Sequence, residues 1–97
     1  MSLSKTKSSF YRRLYVAHLI EQGVASVPAL MEATGMPRRT AQDTIASLGE
    51  LDIECVFEKG DGERHNIGHY TIKQWGAIDP HWVASNAERL GQVLGYR

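Results

Sequence analysis

The sequence of residues 27–41 is Val27-Pro28-Ala29-Leu30-Met31-Glu32-Ala33-Thr34-Gly35-Met36-Pro37-Arg38-Arg39-Thr40-Ala41. It contains two helix starts separated by a tight turn. Ser26, just before this run, can cap a helix that carries Pro28 in its first turn, and both features are common at helix N-termini. We therefore predict a short helix over residues 28–34 that ends at Gly35, because glycine tolerates the left-handed conformation. Pro37 then opens a second helix, so the first helix can brace the second across a short turn.

The second of these helices is predicted to reach about Leu48 and to have one buried and one exposed face. The residues that recur at helical spacing and face the core are Ala41, Thr44 or Ile45, and Leu48. The residues that point largely away from this stripe are Arg38, Arg39, Gln42 and, further along, Ser47. The exposed side of the helix is therefore basic and polar at its start.

An earlier helix is predicted from about Phe10 to Gln22, with Ser8 or Ser9 as its cap and Gly23 as its end. Its apolar residues form two groups, Phe10, Leu14 and Ala17 on one side and Tyr15, Val16, Leu19 and Ile20 on the other. An amphipathic surface helix needs only one apolar stripe. We therefore expect two partners to cover this helix: the domain core, and either the C-terminal helix or a second subunit.

The hydrophobic period changes after the second helix. Ile53, Cys55 and Phe57 alternate with mainly acidic residues, which predicts a strand. A turn at residues 60–62 and a returning strand over residues 67–72 complete an antiparallel hairpin with a polar tip. Asp79-Pro80 then begins a final helix. Its single apolar stripe is Val83, Ala87, Leu90 and Leu94, and the aromatic and aliphatic residues expected to anchor it to the hairpin are Trp75, Ile78 and Trp82.

This order of elements predicts an α+β winged helix-turn-helix: a three-helix core, a β-hairpin wing and an added C-terminal helix. We expect residues 1–7 to form a flexible tail and residues 8–97 to form one domain, in which residues 79–95, approximately, are a dimerisation helix. In this fold the N-terminal residues of the second helix of the motif reach base edges in the major groove. The candidate DNA contacts are Arg38, Arg39, Thr40, Gln42 and Asp43 on that helix, and Lys59, Arg64 and His65 on the wing.

Residues 27–41 resemble the helix-turn-helix of many bacterial winged-helix repressors, especially those whose second helix opens with a proline, a basic residue and a threonine. The run Gly68-His69-Tyr70-Thr71-Ile72-Lys73-Gln74-Trp75-Gly76-Ala77-Ile78, followed by Trp82-Val83, is similar to a family of short, uncharacterised bacterial winged helix-turn-helix proteins. The resemblance extends from about Phe10 to Leu94. It implies a presumed DNA-binding role, and we expect sequence-specific binding to double-stranded DNA by a transcription regulator of bacterial type.

The net charge of zero does not by itself favour DNA, because phosphate neutralisation dominates nucleic-acid affinity. The charge is unevenly distributed, however. Residues 1–40 carry six Lys or Arg against two Asp or Glu, whereas residues 41–63 carry one against seven. Asp43 belongs to the acidic part, where it can accept a hydrogen bond from cytosine or simply face solvent or pair with an arginine. The alternative function is a winged helix that docks another protein through its projecting helix or wing.

The first and final helices are also predicted to build a two-fold homodimer. The candidate interface residues are Tyr15, Leu19, Val83, Ala87, Leu90 and Leu94. Two-fold pairing would hold two projecting helices about 34 Å apart, one turn of DNA. The competing possibility is that the final helix folds over the first within one chain and leaves a monomer.

Several other classes of function are not indicated. Cys55 is the only cysteine, so no intramolecular disulfide can form, and with a polar N-terminus and no long apolar run we expect a cytoplasmic protein without membrane contact. His65 and His69 would stand about 13 Å apart along a strand, too far to share a metal ion. The sequence shows no glycine-rich phosphate loop, paired carboxylates or nucleophile motif. We therefore expect neither an enzyme nor a bound cofactor or metal.

Overall fold

The computed structural model describes residues 3–59 and 68–96. The helices are α1 (Lys5–Glu21), α2 (Val27–Thr34), α3 (Arg38–Ala46) and α4 (Pro80–Val93), and a short 3-10 helix, Leu48–Leu51, follows α3. The strands are β1 (Glu54–Glu58) and β2 (His69–Gln74), which pair as an antiparallel two-stranded sheet. The architecture is α+β, and its element order is the one predicted for a winged helix-turn-helix with an added C-terminal helix.

Helix α1 begins earlier than the sequence predicted. Its cap is Ser4, whose side chain accepts a hydrogen bond from the backbone N–H of Lys7 at 3.1 Å. The prediction of Ser8 or Ser9 as the cap is wrong, because a run with three serines offers several chemically equal caps. Ser9 instead accepts from Arg13, one turn further along α1. The segment before the helix is therefore shorter than the predicted tail of residues 1–7.

The starts predicted for α2 and α3 are confirmed to within a residue. Ser26 caps α2 by accepting from the N–H of Ala29, and Gly35 ends it in the left-handed conformation with a φ of 83°. Helix α3 ends at Ala46 rather than at Leu48, because the chain tightens there into a 3-10 turn that includes Gly49, a poor helix former. Leu48 nonetheless is completely buried, as the apolar spacing predicted.

Two apolar clusters cover opposite sides of α1. The larger joins Val16, Ala17 and Ile20 to α2, α3 and the start of the wing, and its other buried members are Val27, Leu30, Met36, Ala41, Leu48 and Ile53. The smaller joins Tyr11 and Leu14 of α1 to Val83 and Leu90 of α4. The expectation that α1 needs two partners is confirmed, and the second partner in this chain is α4.

This arrangement corrects part of the predicted dimer interface. Val83 and Leu90 are both 0% exposed and pack on α1 of the same chain, so the folded chain leaves neither side chain on its surface. An apolar stripe on a helix indicates only that this face is buried by some other surface. Here that surface is α1 of the same chain, as in the monomer alternative. The other candidate residues are partly buried; they are Tyr15, Leu19, Ala87 and Leu94. The dimer itself stays a prediction.

The hairpin register pairs Cys55 with Ile72, Val56 with Thr71 and Phe57 with Tyr70. The alternating pattern predicted that Ile53, Cys55 and Phe57 face the core. This prediction is confirmed at the base of the wing, where Ile53 is 2% exposed. The prediction is wrong for Phe57, whose side chain is 55% exposed because the core does not extend that far along β1. The ring of Phe57 packs edge-on against that of Tyr70, with the two ring centroids 5.0 Å apart. Tyr70 also donates its backbone N–H to the carbonyl of Ala25, which ties the wing to the helix-turn-helix.

The junction between the wing and α4 is anchored mainly by Trp75 and Ile78. Both side chains pack against both apolar clusters, and the indole N–H of Trp75 donates to Glu21 at 2.8 Å. Trp82, predicted to share this role, is 42% exposed and leaves much of its ring in solvent. The position of α4 is thus set by residues that precede it and by its own buried stripe.

Candidate nucleic-acid interface

The turn between α2 and α3 fixes the direction in which α3 projects. The hydroxyl of Thr34 donates to the carbonyl of Leu30 at 2.7 Å and accepts from the N–H of Met36 at 3.1 Å. Thr34 and Met36 are both buried, so these two bonds are shielded from competing water. The chain then leaves the turn at Pro37, the N-cap of α3. The start of α3 is therefore held by a packed and hydrogen-bonded turn.

Helix α3 presents a polar face to solvent, as the sequence predicted. Arg38, Arg39, Gln42 and Asp43 are exposed and Thr40 is half-buried. On the opposite side Ala41 and Thr44 are buried against the larger cluster. The exposed residues lie in the first turns of the helix, the part that enters the major groove in helix-turn-helix proteins.

Asp43 pairs with Arg39, one turn earlier on the same helix. The closest atoms, Arg39 Nε and Asp43 Oδ2, lie 3.7 Å apart, and the side chains are 90% and 73% exposed. This geometry matches the Arg-paired alternative considered for Asp43. An exposed pair of this kind contributes little stability, because water and salt screen it. Arg39 can therefore leave Asp43 for a stronger partner at small cost.

A second basic feature, which the sequence did not indicate as a site, lies where α1 crosses α3. Arg13 of α1 donates from Nε to the hydroxyl of Ser47 at 2.8 Å and from an Nη atom to the hydroxyl of Ser9 at 2.9 Å. Beside it a cavity of about 320 Å³ opens to solvent. Its lining residues are Ser9, Arg12, Arg13, Thr40, Asp43, Thr44 and Ser47. We call this cavity the α1–α3 pocket.

The adjacent arginines Arg12-Arg13 were the available sequence signal for this pocket. They supply two of the six basic residues among residues 1–40. Nothing in their spacing indicates which part of the chain they face, because Arg13 meets Ser47 across 34 positions. The pocket forms only because α1 and α3 cross in the folded chain.

Only part of the site predicted on the wing lies among the described residues. Lys59 directly follows β1 and is exposed, whereas Arg64 and His65 lie outside the described residues. The predicted acidic face is partly neutralised: Lys73 Nζ lies 2.9 Å from Glu58, and the hydroxyl of Thr71 donates to the same carboxylate at 2.8 Å. The hydrogen bond from Lys73, followed by that from Thr71, lowers the pKa of Glu58.

Metal-binding and membrane-spanning features are absent from residues 3–59 and 68–96. No three His, Cys, Asp or Glu side chains there are grouped so that they can hold a metal ion. None of the helices in those ranges combines the length and the apolar character that crossing a bilayer demands. Cys55 is half-buried, and burial raises the pKa of its thiol, which lowers the fraction of reactive thiolate.

The helix-turn-helix, the hairpin packed beside it and the polar face of α3 define a winged helix-turn-helix protein. The family model described as winged helix-turn helix matches residues 5–94, and the chain belongs to that family. Among solved structures, the crystal structure of a DUF2131 family protein from Shewanella amazonensis SB2B is similar. It shares 42% sequence identity with a TM-score of 0.90, over 98% of this chain and 91% of that one. No curated protein matches the sequence.

Proposed function

We propose that this protein binds double-stranded DNA in a sequence-specific manner through α3, as a transcription regulator of bacterial type. The observation that carries the proposal is the face of α3, where Arg38, Arg39 and Gln42 are exposed while the opposite face is buried. A helix of this kind fits the major groove, and its first turns reach the base edges. The fold supports binding rather than catalysis.

Each exposed residue has a partner suited to its chemistry. The guanidinium groups of Arg38 and Arg39 match the two acceptors on the major-groove edge of guanine, and the amide of Gln42 can read adenine. Thr40 can donate to a phosphate oxygen. Asp43 either accepts from cytosine or restrains Arg39, with which it already pairs. On the wing, Lys59, Arg64 and His65 are assigned to the flanking backbone.

The distribution of charge supports this orientation in spite of the zero net charge. Arg12, Arg13, Arg38 and Arg39 lie on α1 and α3, the two helices whose crossing forms the α1–α3 pocket. The acidic residues that follow lie on the 3-10 helix, on β1 and between these two elements; they are Glu50, Asp52, Glu54 and Glu58. A protein of this kind can approach a duplex with one side and keep its acidic side in solvent.

The second candidate function is a winged helix that docks another protein. The exposed ring of Phe57 on β1 favours it, because large exposed apolar side chains are common at protein interfaces. The two functions differ in their salt dependence. Duplex binding weakens steeply as salt rises, whereas contact through Phe57 responds weakly.

The test is selection of preferred duplexes from random-sequence DNA, followed by titration of a selected duplex with the parent and the double variant R38A/R39A. We expect the variant to lose about 1–3 kcal/mol of binding free energy for each good base pairing removed. The matched control is K7A, which removes an exposed basic side chain from the side of α1 that packs on α4. Equal affinity of the double variant and the parent at the same salt would show that α3 does not carry the contact.

A further inference from the structure

We infer that the α1–α3 pocket is an oxyanion site that seats one phosphate of the DNA backbone, with Arg12 as its principal ligand. This inference rests on the proposed function and deepens it, because it names the contact that sets the position of α3 along the duplex. The first observation concerns a hydrogen-bond donor. Arg12 Nε is buried and has no hydrogen-bond acceptor among the described residues.

An unpaired buried donor is uncommon in folded proteins, because a polar group that loses water without gaining a partner is costly. On a guanidinium group the missing partner is an acceptor, and the best-matched acceptors are carboxylate and phosphate oxygens, which bind the planar fork in bidentate fashion. Arg12 lines the α1–α3 pocket, so an oxyanion bound there lies beside its side chain.

Arg13 provides a second and already positioned cation. Its bonds to Ser9 and Ser47 use two of the five donors of the guanidinium group and hold the side chain across α1 and α3. Ser47 is itself fixed, because its hydroxyl donates to the carbonyl of Thr44 at 2.9 Å. A side chain held in advance loses little conformational entropy when a ligand arrives.

The size of the pocket and its remaining lining also suit a phosphate. A volume of about 320 Å³ accommodates a phosphate group together with several waters, since one water occupies about 30 Å³. Thr40 adds a hydroxyl to the lining. Asp43 is the one acidic residue among the described residues that line the pocket, and its carboxylate opposes an anion. Arg12 and Arg13, which line the same pocket, outweigh this single negative charge.

The location of the pocket gives the bound phosphate its role. Thr40 belongs to the same helical turn as Arg39 and Gln42, so a phosphate held between α1 and this turn lies beside the groove that α3 enters. Phosphate contacts position a protein on the duplex and carry no direct sequence information. Arg12 is therefore a positioning residue for recognition by α3.

The first arm of the test titrates the ¹⁵N-labelled full chain with inorganic phosphate at constant ionic strength and follows the arginine Nε–H signals by NMR. We expect the Arg12 signal to shift and saturate, while the signal of the control Arg89 on α4 stays unchanged. In the variant R12Q the backbone signals of Thr40 and Thr44 should no longer respond. Equal shifts at Arg12 and Arg89, or no shift at either, would overturn the oxyanion site.

The second arm measures the affinity of R12Q and of the control K7Q for a preferred and a scrambled duplex across a range of salt concentrations. We expect R12Q to weaken both duplexes by the same factor and to reduce the slope of log K against log salt by about one. K7Q should retain the parental slope, because Lys7 lies on the side of α1 that packs on α4. Arg12 Nε forms no hydrogen bond within the described residues, so a thermal melt of R12Q close to that of the parent serves as the check on folding.

The two arms separate failure of this inference from failure of the proposed function. A parent that binds no duplex but still shows the Arg12 response keeps the oxyanion site and assigns it to a free phosphorylated ligand. A parent that binds duplex while R12Q retains the full salt slope rejects the phosphate assignment and keeps DNA binding. A changed sequence preference in R12Q would also reject it, because the residue would then read bases.

Discussion

Met36 connects the core to the candidate interface at the scale of a single residue. It is 4% exposed, and its backbone N–H is held by the hydroxyl of Thr34 in the turn that sets the direction of α3. Its side chain belongs to the larger apolar cluster. The residue therefore supports the candidate interface through packing.

Replacing Met36 with alanine should reduce the free energy of unfolding by about 2–5 kcal/mol, the cost typical of truncating a buried methionine or leucine. The measurement is urea unfolding of M36A beside M31A, since Met31 is only partly buried and is the matched control. We expect M31A to lose clearly less stability. Equal losses in the two variants would show that the turn is not packed as described.

At the scale of elements, the sequence predicted those boundaries that depend on one decisive residue. Ser26 and Gly35 defined α2, and both act as caps in the structure. The start of α1 was missed because Ser4, Ser8 and Ser9 are equivalent as caps until side-chain partners are known. The exposed face of α3 followed from apolar spacing, since burial of one face leaves the other in solvent.

Two features of the site could not be predicted from local pattern. The α1–α3 pocket requires the crossing of two helices that are distant in sequence, as the bond from Arg13 to Ser47 illustrates. The stripe on α4 predicted burial of Val83 and Leu90 but not the surface that buries them. The spacing of apolar residues predicts that a residue is buried. The element that buries it depends on tertiary packing, which the spacing does not describe.

The wing should contribute position rather than sequence choice to DNA binding. Lys59 is exposed next to β1, and Arg64, which follows it in the sequence, lies outside the described residues. Neutralising both as K59Q/R64Q should weaken binding to preferred and scrambled duplexes alike and flatten the salt slope. Titrations of both duplexes at several salt concentrations, with K7Q as the control, measure this change. Altered sequence preference with an unchanged slope would contradict the assignment.

The ion pair between Glu58 and Lys73 on the wing should make the stability of the hairpin depend on pH in the acid range. Lys73 and then Thr71 lower the pKa of Glu58 from its ordinary value of 4.5. A lowered carboxyl pKa in the folded state adds stability above pH 4.5, and that stability is lost as the pH falls further through the folded-state pKa. The gain is small, because both partners are substantially exposed.

The variant E58Q should therefore melt at a slightly lower temperature than the parent near pH 6, and the difference should disappear in strong acid. Thermal melts over this pH range test the sign. The matched control is E50Q, because Glu50 is exposed and forms no ion pair within the described part of the chain. A difference in melting temperature between E58Q and the parent that persists unchanged in strong acid would show that the effect of E58Q is not electrostatic.

At the scale of the molecule, the zero net charge makes one copy a weak partner for DNA, and two copies on one duplex would compensate for this. Two projecting helices about 34 Å apart would each contribute to the affinity of the other. Because Val83 and Leu90 are buried within the chain, α4 must offer other residues to a second copy. Trp82 and Val93 are 42% and 43% exposed, and their spacing places them on one face of the helix.

We predict a homodimer at micromolar concentration, with the exposed face of α4 as its contact. Sedimentation equilibrium of the parent should give twice the mass of the 97-residue chain. The variant V93E should shift the equilibrium toward monomer without altering the fold, because Val93 is exposed and a charge there opposes only association. The control is Q92E, which adds the same charge at the neighbouring exposed position. A parental mass equal to one chain, unchanged by DNA, would refute the dimer, and dimeric V93E would place the contact away from α4.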